Sequence, residues 1–270
     1  MANLADKARL NADVNKLKFA NICYKHNISA VNKGNSATGI GILNEKRIHA
    51  VLKEYFEPRS KYHEVPYLGY VADIKNTSGV IEIQTGSLYP LKAKLSSFIE
   101  KTNVTLVHPV AAVKYLSWID PLTGDISSRR KSPKTKPVVS SLVNLYYIRQ
   151  FLSQPRLMIR LVLLEVDEYR YKNGWSRDGK RGSTRYDIVP LDLIDIISLD
   201  TPADYLYFLP DSLKDANEFT VRDFSEATKI SHRDAYMVLS TMTAACALRK
   251  EKKRGNVNIY TVITKKNKKA

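Results

Sequence analysis

Asp73, Glu82 and Gln84 are the residues of this sequence best placed to do chemistry. Two strand-like runs, YVADIK (70–75) and GVIEIQ (79–84), flank the turn Asn76-Thr77-Ser78-Gly79 and should pair across it. Side chains alternate along a strand, so Glu82 and Gln84 point one way while Ile81 and Ile83 point into the core. Asp73, on the neighbouring strand, then converges with Glu82. Two carboxylates brought together in this way can hold a hard divalent cation such as Mg2+ (or Mn2+), with water and a phosphate completing its shell. Phosphodiester hydrolysis needs such an ion to polarise the phosphate, generate hydroxide and stabilise the leaving oxygen. Glu45, three residues before Ile48 on the preceding helix, leans toward the same spot, and His49 follows one turn later. Any one of these carboxylates alone reads as a solvated strand or helix residue; their convergence is what singles them out.

The elements that must position them follow from periodicity. Residues 5–24 read as a helix through Leu10, Val14, Leu17 and Ile22, and a loop (32–41) follows whose Gly39-Ile-Gly41 lacks the context of a phosphate loop. Asn44 caps a second helix with the stripe Ile48, Val51, Leu52, Tyr55 and Phe56, stopped by Pro58. Three strands are expected at 62–68, 70–75 and 79–84, then a helix at about 88–100 and a strand at 103–110, which should lie parallel to its neighbour after the crossover. Beyond these we expect a hairpin (113–119 with about 125–130), a helix (about 138–152), an apolar strand (157–166) and a short apolar helix (191–199). The fold class is therefore α/β with a mixed sheet.

A helix with an early Glu, a three-strand meander carrying Asp and Glu-x-Lys, then helix and strand, resembles the core of the PD-(D/E)XK nuclease superfamily, which includes restriction enzymes and Holliday-junction resolvases. The matching residues are Asp73 in VAD (71–73), Glu82 with Gln84 in IEIQ (81–84), and Glu45 in NEKRIH (44–49), across roughly residues 40–112. The resemblance implies Asp73 and Glu82 as ligands of Mg2+ or Mn2+, with Glu45 assisting. The chain departs from the pattern at Ala72, where proline is usual, and at Gln84, where lysine is usual. A glutamine amide positions a water but supplies no positive charge.

The C-terminal part has a different character from about residue 200. Residues 219–262 resemble a winged helix-turn-helix: Thr220 with Asp223 and Ser231 with Asp234 open two helices, and Ala235, Val238, Leu239 and Met242 form an inward stripe. The outer face offers His232, Arg233 and Tyr236 near the N-terminal end, where a recognition helix meets base edges. Lys252, Lys253 and Arg254 mark the basic tip of a following hairpin. The organisation expected is a nuclease-like domain (1–205), a winged-helix domain (212–264) and a basic tail (265–270).

Composition points to the same class of partner. Forty-three Lys and Arg against twenty-seven Asp and Glu give a net charge of +16, with thirteen against seven in residues 211–270. Such a surplus favours nucleic acid, with Arg129, Arg130, Arg177, Lys180 and Arg181 as further phosphate contacts. Mean hydropathy is −0.30, no apolar run spans a bilayer and no signal segment is seen, so a cytoplasmic protein without membrane contact is expected. Cys23 and Cys246 lack metal spacing and read as small core residues, and Asp167-Glu168 reads as a solvated strand end. The function these features point to is a Mg2+-dependent DNA endonuclease, of a restriction or defence kind. A non-catalytic DNA-binding protein and a repair or recombination nuclease are the alternatives. Double-strand cleavage would favour a homodimer, with the N-terminal helix as one interface.

Overall fold

The computed structural model describes residues 16–27, 44–133, 136–174, 183–251 and 255–263, without the side chains of 44–46. The chain forms a mixed α/β structure around one large sheet. Helix α1 covers residues 16–27 and α2 spans Asn44–Phe56. Strands β1 (His63–Tyr67), β2 (Tyr70–Asn76) and β3 (Gly79–Ile83) form an antiparallel meander. The β2–β3 turn needs glycine: Gly79 has φ +140°, and a Cβ there would sit 2.3 Å from the Asn103 carbonyl oxygen. Helix α3 (Lys92–Lys101) then crosses to β4 (Val104–Ile119), which pairs parallel with β3, as the crossover rule requires.

Three expectations change beyond this point. The strand at 103–110 does not stop before a separate hairpin; β4 runs unbroken for 16 residues, and its hairpin partner shrinks to β5 (Arg130–Lys131). The helix expected at 138–152 is a short α4 (Leu142–Leu145) between two 3-10 turns. The apolar helix expected at 191–199 is the end of a strand, β7 (Arg185–Leu199), antiparallel to β6 (Leu157–Tyr171). Its periodicity misleads because the register slips three times, leaving Tyr186, Leu191 and Ile194 without a partner on β6. Beside each slip an aspartate, Asp187, Asp192 or Asp195, accepts a hydrogen bond from the next backbone N–H. Each bulge resets the strand's two-residue alternation, and the resulting spacing imitates a helical one.

The sheet order is β1-β2-β3-β4-β6-β7, with β5 added to the far end of β4. Helices cover both faces. Phe19, Ile22 and Cys23 of α1 join Val51, Leu52 and Tyr55 of α2 against Ile74, Ile83, Val107 and Val162. On the opposite face Leu95 and Phe98 of α3 and Leu142 and Leu145 of α4 pack on Val80, Leu106, Leu161 and Leu163. Burying a side chain of this size contributes roughly 1.5–3 kcal/mol.

The C-terminal part holds α5 (Asp211–Lys214), β8 (Phe219–Thr220), α6 (Val221–Thr228), α7 (His232–Ala244), β9 (Leu248–Lys250) and β10 (Ile259–Val262). Thr220 and Ser231 cap α6 and α7, each accepting from the backbone N–H three residues on. A small sheet of order β8-β10-β9 closes the unit. The sequence changes character near residue 200, yet packing is continuous. Val238, Leu239 and Met242 of α7 belong to the same hydrophobic cluster as Leu142 and Leu145, and the Thr241 hydroxyl lies 3.3 Å from the Leu142 carbonyl. Cys23 is buried as expected, but Cys246 is exposed: it follows the end of α7 at φ +60°, turning the chain into β9 instead of facing the core. Among the described residues no helix is long and apolar enough to cross a membrane.

Candidate active site

The meander brings Asp73 and Glu82 together by leaving its own ladder incomplete. Beyond the pair Ile74–Ile81 the backbones of β2 and β3 are no longer directly paired. Asp73 Oδ2 accepts from the Ile83 N–H at 2.7 Å, and Glu82 Oε1 accepts from the Asp73 N–H at 3.3 Å. Each carboxylate thus satisfies a backbone donor of the other strand, which fixes both side chains.

Glu82 is 1% exposed, so the face expected to be solvated is covered. The cover is α3, whose Lys94 places Nζ 2.6 Å from Glu82 Oε2. Gln84, just past the end of β3, turns its amide to donate to the Ser87 carbonyl at 2.9 Å. The positive charge beside Glu82 thus comes from the helix, and position 84 faces Ser87. Behind Gln84, the buried His108 bonds its carbonyl at 2.7 Å and meets the Asn144 amide at 2.9 Å, tying the end of β3 to α4.

Asp73 has a second partner, His49 of α2, with Nε2 3.1 Å from Oδ2. Glu64 of β1 lies close by and pairs with Lys53 of α2. These side chains, with Glu82 and Lys94, line an open cleft of about 530 Å³. Burial opposes ionisation of Asp73, but His49, the Ile83 N–H and Lys94 outweigh it and hold the carboxyl below its usual range. Burial and the charge of Asp73 push Glu82 the other way, up to about 7, against the pull of Lys94. Two neighbouring carboxyls with separated proton affinities, an imidazole and two ammonium groups make a polar cleft suited to an anionic substrate and a cation.

The structure brings Asp73 and Glu82 together as the strand pattern implies, with His49 beside Asp73. Glu64, Lys53 and Lys94, which line the same cleft, were not among the residues expected there. Glu45 lies on α2, but its side chain is outside the described residues.

Residues 46–200, more than half of the chain and all of the cleft, match the family described as "Domain of unknown function (DUF8091)". The chain belongs to this family. A protein of Treponema pallidum (strain Nichols), described as uncharacterized, is 27% identical over 148 residues, 54% of this chain and 56% of that protein. The chain thus matches little more than half the length of that relative. No solved structure matches the chain.

In this DUF8091 member the expected nucleic-acid contacts fall into three groups. His232, Arg233 and Tyr236 lie on the first turns of α7 with their side chains exposed or half-exposed. Arg129 and Arg130 stack on Tyr115 and Trp118, at 3.4 and 4.5 Å from the ring centres. Arg129 also bonds Asp167 at 2.7 Å, so much of its charge is already compensated. Arg177, Lys180, Arg181, Lys252, Lys253 and Arg254 lie outside the described residues. Glu168 corrects an expectation: instead of a solvated strand end it is buried, with Lys114 at 2.6 Å, Arg170 at 2.5 Å and Arg185 at 3.5 Å. A lone strand gives no sign of this, because two of the three cations belong to neighbouring strands.

Proposed function

We propose that this chain is a metal-dependent DNA endonuclease, with a PD-(D/E)XK-like cleft and a winged-helix-like C-terminal part that reads DNA. The observation that carries the reading is the cleft itself, in which Asp73 and Glu82 converge from adjacent strands with the Lys94 ammonium beside them. The order of helix, three-strand meander, helix and parallel strand agrees with the arrangement that the resemblance implies. The donor set fits a divalent cation: carboxylates from two strands face one cleft, with an imidazole next to them. A divalent cation bound there supplies positive charge to a phosphodiester and acidifies a water. Asp73 and its neighbours would hold the ion, with Glu82 behind them. Lys94 is placed to offer its protons to a phosphate oxygen or an attacking water, the part Gln84 leaves open. The exposed start of α7 and the arginines at the start of β5, Arg129 and Arg130, hold the DNA, consistent with the charge of +16.

DNA binding without cleavage is the second reading, favoured by the engagement of Gln84 with Ser87. Incubating the full chain with supercoiled plasmid and Mg2+ or Mn2+ separates the two. Cleavage that EDTA abolishes and that Asp73→Ala and Glu82→Ala lack supports the nuclease. No cleavage by the wild type, or equal cleavage by Asp73→Ala, overturns it. Linear, branched and methylated substrates then distinguish a restriction enzyme from a repair nuclease.

A further inference from the structure

The donors lining the cleft are not all oxygen. One ligand atom each from His49, Glu64 and Asp73 lie within 4.8 Å of one another. They come from α2, β1 and β2, so tertiary packing builds the cluster. His49 is held with Nε2 toward Asp73 and its side chain 24% exposed. Glu64 falls between the cross-strand pairs His63–Ile74 and Val65–Ala72, which sets it opposite Asp73. Its backbone is in the left-handed region at φ +52°, unusual for a non-glycine residue, and its carboxylate lines the same cleft. Glu64, Asp73 and Glu82 face two ammonium groups, those of Lys53 and Lys94. Lys53 pairs with Glu64 and Lys94 with Glu82, so among the described residues the ion-pair partner of Asp73 is the imidazole of His49.

We infer that this cleft takes a first-row transition-metal dication, ligated by His49, Glu64 and Asp73, in preference to Mg2+. Mg2+ is a hard ion that takes oxygen ligands and gives up its waters reluctantly. An imidazole nitrogen is a poor exchange for one of those waters, whereas it suits Fe2+, Co2+, Ni2+ and Zn2+, whose affinity for mixed nitrogen and oxygen sites exceeds that of Mn2+. Mn2+ is therefore the most demanding member of the series with which to test the preference. Glu82, tied to Lys94 and the Asp73 N–H, stands behind the ligand set instead of belonging to it. The inference deepens the nuclease reading, and rests on it only for the consequence that cleavage follows the same cation.

The test titrates the full chain with Mn2+ and follows the free ion by electron paramagnetic resonance, with Mg2+ as competitor. Mn2+ should bind at one site and resist displacement until Mg2+ is in at least about tenfold excess, and Co2+ bound there should show visible bands altered in His49→Ala. His49→Ala should weaken Mn2+ binding by at least about tenfold, the low end of what even an outer-sphere partner contributes. His49→Asp, which makes the set all-oxygen, should bring the two ions toward equal affinity. Displacement by equimolar Mg2+, or unchanged Mn2+ binding by a folded His49→Ala, overturns the inference, and the wild-type competition needs no variant. DNA cleavage in the same samples separates the two claims. Tight, His49-dependent Mn2+ binding without cleavage supports this site and overturns the nuclease, while Mg2+-supported cleavage indifferent to His49 does the reverse.

Discussion

Lys94 Nζ lies 2.6 Å from Glu82 Oε2 although the two residues sit on different elements, α3 and β3. Helix α3 buries Leu95, Phe98 and Ile99, and Lys94, next to Leu95, is left lining the cleft. If Lys94 supplies the charge that Gln84 lacks, Lys94→Ala should slow single-turnover plasmid cleavage by about a hundredfold, the scale of one lost electrostatic donor. The double variant Lys94→Ala with Gln84→Lys should recover part of that loss, because position 84 opens onto the same cleft. A lysine needed only to neutralise Glu82 would instead show in thermal stability, with no recovery of rate at position 84.

Glu168 offers a prediction about stability and pH. Burial opposes its ionisation, but Lys114, Arg185 and Arg170 outweigh it and hold the carboxyl below its ordinary value. A depressed folded pKa means stability that is present above the unfolded value and lost as pH falls through the folded one. Urea unfolding should therefore show wild-type protein losing stability as pH drops below the normal carboxylate range, with Glu168→Gln losing less over the same window. At neutral pH the variant should be less stable by about 2–3 kcal/mol. That lies under the roughly 3–5 kcal/mol of a fully buried pair because the three cations keep contact with water.

Asp73 and Glu82 were legible because strand alternation and one turn with an obligatory glycine place them, all within a dozen residues. Glu64 was not, since it reaches the cleft through a left-handed backbone that β-alternation does not anticipate. His49 and Lys94 belong to helices whose apolar stripes predict what they bury but not where the rim residues meet another element. The aspartates of β7 hid that strand, since three bulges broke the alternation by which a strand is read. Buried Glu168 looked like a surface residue for a related reason: its charge partners are cross-strand neighbours, and pairing is not written in any one segment.

The continuity of α7 with α4 predicts how the protein melts. Met242 and Leu239 are fully buried in the cluster that also contains Leu142, Leu145 and Leu161 of the main sheet layer. Met242→Ala should destabilise by about 2–5 kcal/mol. In a Trp175→Phe background, which leaves Trp118 of β4 as the remaining tryptophan, fluorescence should shift its midpoint by the same amount as far-ultraviolet circular dichroism. Coincident transitions mark one cooperative unit. A Trp118 transition unmoved by Met242→Ala would show that the C-terminal part folds separately.

The arginines at the far end of the sheet should not contribute equally to DNA binding. Arg129 spends its guanidinium on Asp167 at 2.7 Å and approaches Glu165 at 3.5 Å, while Arg130 stacks on Trp118. A phosphate approaching Arg129 must compete with two carboxylates that cannot move far along β6, so its net attraction is reduced. Arg130→Ala, and Arg233→Ala on α7, should each weaken binding at low salt and lower the slope of log K against log salt by about one. Arg129→Ala should change that slope less, and should instead lower the melting temperature, because Asp167 loses its partner and Tyr115 its stacked cover. Fluorescence anisotropy on a labelled duplex at several salt concentrations measures all three. An Arg129 effect on the slope as large as that of Arg130 would mean that DNA displaces Asp167, and that the ion pair holds the arginine ready instead of occupying it.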